Sequence, residues 1–470
     1  MAIPAATAQQ KSEIQWRFGL AWAIGAVACF HLAYSSPLLC WCILGYLLGL
    51  VQVATLGSGR QAFYFGLGVG FLTAAPQLSC FWVIFGPAAL ALWVVLAFWV
   101  AVFVTITRLC LLNFKSRISW LLVPLVWTGL EYFRSELYYL RFSWLNVGYS
   151  FSGSAFLQGL HWAGMYGMGF LLTVVAAALS RFRPKFAVVL MGCVVIGGIV
   201  GELIINNGDR NSVHMSSGNL EVAGIQMEFP SPDDVVPALD KLFAAYPQAQ
   251  LLALSEYTFN DVVPQKVLDW CREHRRYLVV GGKEPAPNSN FYNTAFVVGP
   301  DGQIIFRQVK SVPIQFFKDG LPAPEQRVWD SPWGKIGICV CYDLSYTRVT
   351  DELVRKGAQA IVVPTMDVIE WGLRQHELHA RVAPVRAAEY GIPIFRLASS
   401  GISQLADARG RVLVKAEAPG QQAMIHGFLR LERPATLPLD RWLAPGCAGG
   451  VIVLLVVLLV LGRRIAGRPG

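Results

Sequence analysis

Charged residues are scarce in this sequence. Only 15% of its 470 residues are charged and 54% are hydrophobic, whereas a soluble protein of this size carries about 25% charged residues. The shortage is uneven, because long apolar runs surround one polar block at about residues 206–441. The composition therefore excludes a purely soluble enzyme and predicts membrane segments joined to one soluble domain.

The sequence also lacks a cysteine framework. Its ten cysteines show no CxxC pair and no Cys/His spacing typical of a metal centre. Only Cys271, Cys339 and Cys341 lie in the polar block. The others lie in apolar runs, where a thiol behaves as a small hydrophobe: Cys29, Cys40, Cys42, Cys80, Cys110, Cys193 and Cys447. We therefore expect no disulfide framework, no metal and no other cofactor.

The net charge of +9 does not predict nucleic-acid binding. Much of the basic excess lies in short loops beside apolar runs, where Lys and Arg set the orientation of membrane helices. Eight runs approach the ~20 residues that cross a bilayer: 16–34, 37–56, 63–85, 88–106, 118–133, 162–180, 186–205 and 442–461. The first run lacks a small-residue cleavage site, so we interpret it as a retained helix and not as a signal peptide.

If eight spans alternate, the basic clusters fall on one side of the membrane. The clusters are Lys11 with Arg17, then Arg60, then Arg108 with Lys115 and Arg117, then Arg181 with Arg183 and Lys185, and finally Arg463, Arg464 and Arg468. Positive loops stay in the cytoplasm, so both termini are expected there and the polar block outside. We predict a membrane domain of seven spans over 1–205, a catalytic domain over 206–441, and a last span with a cytoplasmic tail over 442–470.

The polar block has the pattern of an α/β domain. Short apolar runs predict strands at 220–226, 251–255, 278–280, 295–298, 304–306, 336–341, 360–363 and 394–398. Amphipathic runs predict helices at 236–246, 263–274, 350–356 and 371–390. Gly and Pro clusters separate these elements and mark turns.

Three residues in this block, Glu256, Lys310 and Cys341, each end a predicted strand. The ends of strands are where active sites collect in α/β sheets. A cysteine nucleophile needs a base for its proton and a cation for the oxyanion, and the carboxylate and the ammonium match these roles. Taken singly, each residue has a structural interpretation: a buried thiol, a solvated strand-end glutamate and a surface lysine. Their common order favours catalysis, whereas Cys339 is interpreted as core.

These residues resemble the nitrilase, or carbon–nitrogen hydrolase, superfamily. Residues 291–302, 337–343 and 375–393 are similar to its strands and helix around the lysine and the nucleophile. A second set, which soluble nitrilases lack, resembles the membrane signature of the apolipoprotein N-acyltransferase branch: 124–127, Glu131, Arg134, 142–145, 148–150, Gln158 and 164–167. The resemblance covers nearly the whole chain.

The resemblance implies a membrane domain of about eight spans that carries an extracytoplasmic αββα sandwich. It implies transfer of an acyl group from a phospholipid to Cys341 as a thioester, then to the α-amine of the diacylglyceryl-cysteine of an apolipoprotein. It also implies Tyr342 and Asp343 as residues that position the site or bind substrate. We expect a bacterial inner-membrane protein with its catalytic domain in the periplasm, acting as a monomer.

The sequence departs from that branch at several positions. Asp343 stands where a glutamate is usual, and no glutamate follows Val312-Pro313. Thr365-Met366-Asp367 replaces the usual Ser-Asn-Asp, and the loops after Gln226 and between Lys310 and Cys341 are short. These departures leave the three catalytic candidates intact. They concern the groups around them and the loops over the site.

Two other functions remain open from the sequence. One is a membrane-tethered amidase, in which water takes the acyl group from the same three residues. The other is a transporter or lipid-binding protein without activity, which the intact triad and the few ionisable residues in the spans disfavour. The apolar loop residues Phe316, Phe317 and Trp371 are expected either to rest in the lipid surface or to pack as ordinary core or as a lid.

Overall fold

The computed structural model describes residues 8–209, 220–416, 420 and 422–466. Arg210, at the start of the predicted catalytic domain, and Arg468, in the last basic cluster, lie outside the described residues. The chain divides into two compact units. One is made of Met1–Phe156, Ala163–Asn211 and Leu439–Gly470, and the other of Leu157–Trp162 and Ser212–Pro438.

The first unit is helical. Its helices are α1 (Ala8–Ser35), α2 (Ile43–Ala54), α3 (Gly59–Gln77), α4 (Cys80–Phe85), α5 (Ala89–Asn113), α6 (Ser116–Tyr132), α7 (Leu160–Leu179), α8 (Pro184–Asp209) and a C-terminal helix (Asp440–Ala466). Helices occupy all eight predicted apolar runs. Among the described residues, six stretches are long and apolar enough to cross a membrane: Gln15–Ser35, Pro37–Ala54, Cys80–Asn113, Ala155–Leu179, Pro184–Ile204 and Asp440–Leu461.

Buried carboxylates of the helical unit satisfy backbone groups where its helices break. Glu131 Oε1 accepts a hydrogen bond of 2.9 Å from the N–H of Val147, at the start of a short 3-10 helix. Asp440 Oδ2 accepts one of 2.9 Å from the N–H of Tyr166, beside the kink at Gly164, where φ is +74°. An unpaired N–H costs several kcal/mol in an apolar setting. Glu131, which belongs to the membrane signature, and Asp440 therefore stabilise irregular backbone.

The second unit contains twelve described strands in two sheets. The strands are β1 (Leu220–Ile225), β2 (Leu251–Ala253), β3 (Tyr277–Ala286), β4 (Asn290–Val298), β5 (Ile304–Val309), β6 (Val328–Ser331), β7 (Gly334–Ile338), β8 (Ala360–Thr365), β9 (Ile394–Ala398), β10 (Gln404–Ala406), β11 (Val412–Lys415) and β12 (Met424–Leu429). The sheet orders are β12-β1-β2-β3-β4-β5 and β11-β10-β9-β8-β7-β6. The neighbours β1/β2, β2/β3, β7/β8 and β8/β9 are parallel and the other pairs are antiparallel.

Five helices belong to this unit: α9 (Pro232–Ala245), α10 (Gln265–His274), α11 (Thr347–Arg355), α12 (Leu373–Ala380) and α13 (Val382–Tyr390). The apolar faces of α9 and α10 share one buried cluster with the first sheet, through Leu239 and Trp270 on the helices and Leu252 and Phe296 on the strands. The predicted αββα sandwich is thus confirmed. The candidate residues Glu256, Lys310 and Cys341 follow the carboxyl ends of β2, β5 and β7.

Predicted and observed elements differ in several bounds, and β6, β10, β11 and β12 were not predicted. Two of the differences concern the surroundings of the site. The strand predicted over 336–341 ends at Ile338, and Cys341 opens a short 3-10 helix over Cys341–Ser345. The helix predicted over 371–390 is two helices, α12 and α13, which meet at Arg381. Pro384 lies in the first turn of α13, where its missing N–H costs no hydrogen bond. An apolar pattern continues through such breaks, so the sequence predicts single elements.

Candidate active site

Cys341 lies on a sharp turn between β7 and α11. Its φ is +53°, in the left-handed region that a non-glycine residue adopts at a cost of order 1–3 kcal/mol. The N–H of Asp343 closes the turn onto the carbonyl of Val340, at 3.0 Å. The thiol is buried, and its Sγ lies 3.7 Å from the carbonyl oxygen of Met366. A strained turn that presents a nucleophile at a sheet edge is typical of hydrolases that form acyl-enzymes.

Glu256 follows β2 by three residues, and its side chain is fully buried. Its Oε1 accepts hydrogen bonds from Lys310 Nζ at 2.8 Å and from Asn293 Nδ2 at 2.6 Å. Its Oε2 accepts one from the N–H of Met366 at 2.8 Å. The carboxylate is therefore held in one orientation by an ammonium, an amide and a backbone group.

Lys310 follows β5 directly, and its side chain has no exposed surface. Besides Glu256, its Nζ lies 2.8 Å from Oδ2 of Asp319. Burial alone would lower the pKa of Lys310, but the two carboxylates raise it above its ordinary value. The ammonium thus stays charged at neutral pH, as an oxyanion-binding group must.

The structure brings Cys341, Glu256 and Lys310 into one buried cluster. Burial raises the pKa of the Cys341 thiol well above its ordinary value, the carboxylates of Glu256 and Asp367 raise it further, and Lys310 opposes them. The resting thiol is therefore protonated at neutral pH. Attack by this thiol needs a base that takes the proton as the new bond forms, which is the chemistry that a neighbouring carboxylate supplies.

Asp319 is the residue that the sequence interpretation missed. The tyrosine hydroxyl of Tyr257 donates to its Oδ1 at 2.6 Å and Asn293 Nδ2 donates at 3.0 Å. The N–H of Ile314 donates to Oδ2 at 2.7 Å. The resemblance leads one to expect a glutamate shortly after Val312-Pro313, whereas the chain supplies an aspartate six residues beyond that proline. The signal that could have found it is a carboxylate within ten residues of Lys310, just before Gly320.

Asp343 ties two loops of the site together. It accepts backbone hydrogen bonds from Ser311 at 2.9 Å, from Val312 at 2.7 Å and from Val340 at 3.3 Å. Burial raises its pKa to about 6, although these bonds and Lys310 oppose the rise. The carboxylate connects the segment after Lys310 to the turn that carries Cys341.

Tyr342 and Cys339 are the other neighbours of Cys341 that the sequence analysis singles out. The Tyr342 ring packs edge-on against Tyr346, with ring centroids 5.0 Å apart. Cys339 is fully buried, and burial raises the pKa of its thiol. Cys339 therefore has the surroundings of a core residue.

The apolar loop residues Phe316, Phe317 and Trp371 differ in their exposure to solvent. Phe316 is 65% exposed and has a φ of +69°, so it is not core. Phe317 is 38% exposed and lies beside Trp371, with ring centroids 6.3 Å apart. The position of Phe316 excludes ordinary core packing for that residue.

Comparisons with known proteins match both parts of the chain. Residues 242–428 match the family described as carbon–nitrogen hydrolase, and residues 19–178 match the apolipoprotein N-acyltransferase N-terminal domain. The apolipoprotein N-acyltransferase of Shewanella oneidensis is 24% identical over 97% of each chain. That of Geobacter metallireducens is 24% identical over 66% of this chain and 68% of the relative. Among solved structures, Saccharomyces cerevisiae Nit3, of the nitrilase superfamily, matches 46% of this chain and 92% of its own, with 20% identity and a TM-score of 0.38.

The sandwich and the matched domains define a carbon–nitrogen hydrolase superfamily enzyme carried on apolar helices, and hence a multi-pass membrane protein. Within this superfamily, the chain belongs to the apolipoprotein N-acyltransferase family.

Proposed function

We propose that the protein moves a fatty acyl group from a phospholipid, through a thioester on Cys341, to the N-terminal amine of diacylglyceryl-cysteine apolipoproteins. The reaction takes place in the bacterial inner membrane, with the catalytic unit on the periplasmic side. The observation that carries this proposal is the buried cluster of Cys341, Glu256 and Lys310 in a chain that also has the family's N-terminal membrane domain. Both acyl substrates are confined to the bilayer, which explains why the enzyme is anchored there.

In the first half-reaction, Glu256 takes the proton of the Cys341 thiol as sulfur attacks the ester carbonyl of the phospholipid. Lys310, with a backbone N–H near Cys341, binds the oxyanion. The carbon–oxygen bond then breaks, and Glu256 returns the proton to the leaving glycerol oxygen. The products are the thioester and a lysophospholipid.

In the second half-reaction, the neutral α-amine of the acceptor attacks the thioester carbonyl. A second oxyanion forms at the same place and is bound by the same ammonium. The carbon–sulfur bond breaks, and the proton lost by nitrogen passes through Glu256 to the sulfur. The buried position of Cys341 keeps water from the thioester, which favours transfer over hydrolysis.

Intact mass spectrometry of protein purified from its own membranes tests the proposal. A fatty-acyl adduct is expected on Cys341, released quantitatively by a diacylglyceryl-cysteine peptide and slowly by buffer alone. Release by water at the same rate as by the peptide would instead favour a membrane-tethered amidase. A preparation that never acquires the adduct from labelled phospholipid would contradict the proposed acyl transfer.

The predicted orientation has a separate test. A phosphatase reporter fused after Lys185 is expected to be inactive, and one fused after Arg210 active. The opposite pattern would remove the enzyme from exported lipoproteins and would contradict the proposed reaction.

A further inference from the structure

A second buried polar cluster lies behind the nucleophile and is centred on Asp367, two residues after β8. Its Oδ1 accepts hydrogen bonds from His379 Nδ1 at 2.7 Å and from Gln375 Nε2 at 3.0 Å. Its Oδ2 accepts one from the guanidinium of Arg396 on β9. All four side chains are nearly or fully buried. A carboxylate offers only acceptors, so Nδ1 of His379 carries the proton in this contact.

The backbone of Asp367 is fixed as firmly as its side chain. Its N–H donates to Ser399 Oγ at 3.0 Å, and its carbonyl accepts from that hydroxyl at 3.0 Å and from the N–H of Ser400 at 3.2 Å. Two positions further on, the N–H of Ile369 donates to Glu228 Oε2 at 2.8 Å. The segment after β8 therefore has few degrees of freedom.

This segment touches both reacting groups through one residue. The N–H of Met366 holds Glu256 Oε2, and the carbonyl of Met366 lies 3.7 Å from Cys341 Sγ. The methionine side chain has no part in either contact. The two backbone groups that flank the proposed base and nucleophile are thus positioned by the residue that follows them, Asp367.

Asp367 also contributes charge. Burial alone would raise its pKa, but His379 and Arg396 hold the pKa well below its ordinary value, so the carboxylate is ionised. Burial lowers the pKa of His379 and of His376, whose Nδ1 lies 4.0 Å from Asp367, so both imidazoles are neutral at neutral pH. Two further charged groups act on this cluster. The carboxylate of Glu228 raises the pKa of His376, and the ammonium of Lys310 lowers the pKa of His379.

We propose that Asp367 is a positioning residue of the active site: held by His379, Gln375 and Arg396, it fixes the Met366 backbone that aligns Glu256 with Cys341. This inference rests on the proposed function, because it assigns Asp367 to the same reaction. Misplacing reacting groups by about 1 Å costs on the order of 10²-fold in rate. Asp367→Asn, which removes the charge and replaces one acceptor oxygen with an NH2 group that cannot accept, is therefore expected to lower kcat by about that factor and to leave KM within about twofold.

The titration of Cys341 is the deciding measurement when it is compared with a buried-aspartate control, because only Asp367→Asn removes the charge that Asp367 places near the thiol. Iodoacetamide labelling of Cys341, followed by peptide mass spectrometry across pH, reports its thiol without any acyl transfer. Asp367→Asn is expected to shift the midpoint to lower pH, because a neighbouring negative charge that disfavours the thiolate is gone. Asp351→Asn is the matched control, since Asp351 is a buried aspartate on α11 that accepts from Tyr390 at 2.7 Å.

Wild-type kcat with an unchanged labelling midpoint in Asp367→Asn would overturn the inference, as would an equal shift in Asp351→Asn. If Asp367→Asn does not accumulate in membranes, Gln375→Met decides, because it removes one donor and keeps the shape. A tenfold lower kcat in Gln375→Met supports the inference, and a kcat within twofold of wild type overturns it. Failure of the proposed function is distinct: the labelling shift appears while wild-type protein forms no acyl adduct.

Discussion

Asp319 and Lys310 form a buried ion pair, with Oδ2 of the aspartate 2.8 Å from Nζ of the lysine. The same Nζ lies 2.8 Å from Glu256, so one ammonium is shared by two carboxylates. Neutral donors offset the remaining negative charge, since the Tyr257 hydroxyl and the Ile314 N–H both donate to Asp319. Asp319 therefore helps to keep Lys310 charged and in place beside Glu256.

Removing the charge of Asp319 should slow the chemistry. In Asp319→Asn, Lys310 keeps its ion pair with Glu256 alone, so its ammonium is no longer held from two sides. We expect thioester formation to slow by at least about tenfold, since buried charged partners of this kind are each worth more than ~1.4 kcal/mol. Single-turnover acylation with labelled phospholipid measures this rate. Asp319→Glu should recover part of it, and Asp269→Asn, an exposed pair with Arg272 on α10, should behave as wild type. A wild-type rate in Asp319→Asn would exclude this role.

The site could be predicted from sequence only where a residue follows a strand closely. Glu256 and Lys310 follow strands closely, and the apolar runs before them place them at the sheet edge. Asp319 could not be predicted in this way, because it is brought back to Lys310 by a loop of nine residues. The left-handed turn at Cys341 also left no signal, since Val340 and Cys341 continue the apolar pattern of β7 beyond its last residue. Long-range contacts, not local periodicity, decide these positions.

The carboxylate of Asp343 should be essential although it does not touch the thiol. Asp343→Ala leaves buried N–H groups of Ser311 and Val312 unpaired, at a cost of ~1–3 kcal/mol each. We expect a strong loss of acylation activity with the membrane unit still folded. Asp343→Glu keeps the acceptor and adds one methylene in a closed site, so we expect activity within about tenfold and a stability loss of ~1–3 kcal/mol. Turnover assays with circular dichroism check both variants. Full activity in Asp343→Ala would show that the contact is dispensable.

The raised pKa of Asp343 also predicts a pH dependence of stability. Its folded value of about 6 lies above the ordinary aspartate value, so the folded state binds a proton that the unfolded state has already lost. The resulting stabilisation is complete below about pH 4 and disappears as pH rises through about 6, amounting to about 3 kcal/mol. Thermal unfolding of wild type and Asp343→Asn in detergent, compared from pH 4 to pH 7, measures it. As pH rises from 4 to 7, the free energy of unfolding of wild type should fall relative to that of Asp343→Asn. A difference that stays constant across this range would contradict the raised pKa of Asp343.

Substitutions of Glu256 and of Lys310 should impair different steps of the proposed reaction. Glu256→Gln is expected to abolish thioester formation, because no base takes the thiol proton during attack. Since the Glu256 carboxylate raises the pKa of Cys341, the same variant should alkylate at Cys341 at lower pH than wild type. Lys310→Ala should slow both half-reactions by about 10²–10³-fold, as each passes through an oxyanion. Pre-formed acyl-enzyme mixed with acceptor peptide separates the two half-reactions. A Lys310 variant impaired only in acylation would place the oxyanion site elsewhere.

The choice between the two neighbouring cysteines is the last prediction. Cys341→Ser should retain the fold and substrate binding but form no acyl-enzyme, because a serine hydroxyl lacks thiolate nucleophilicity and its ester resists aminolysis. Cys339→Ser should form the thioester at close to the wild-type rate, with a packing cost of ~1–3 kcal/mol for a buried hydroxyl. Labelled phospholipid, followed by fragmentation mass spectrometry of the single peptide that carries both positions, distinguishes the two variants. Because Cys339 is fully buried and Cys341 lies on the strained turn beside Glu256, label is expected on Cys341 only. Acylation of Cys341→Ser together with an inactive Cys339→Ser would require the mechanism to be rebuilt around Cys339.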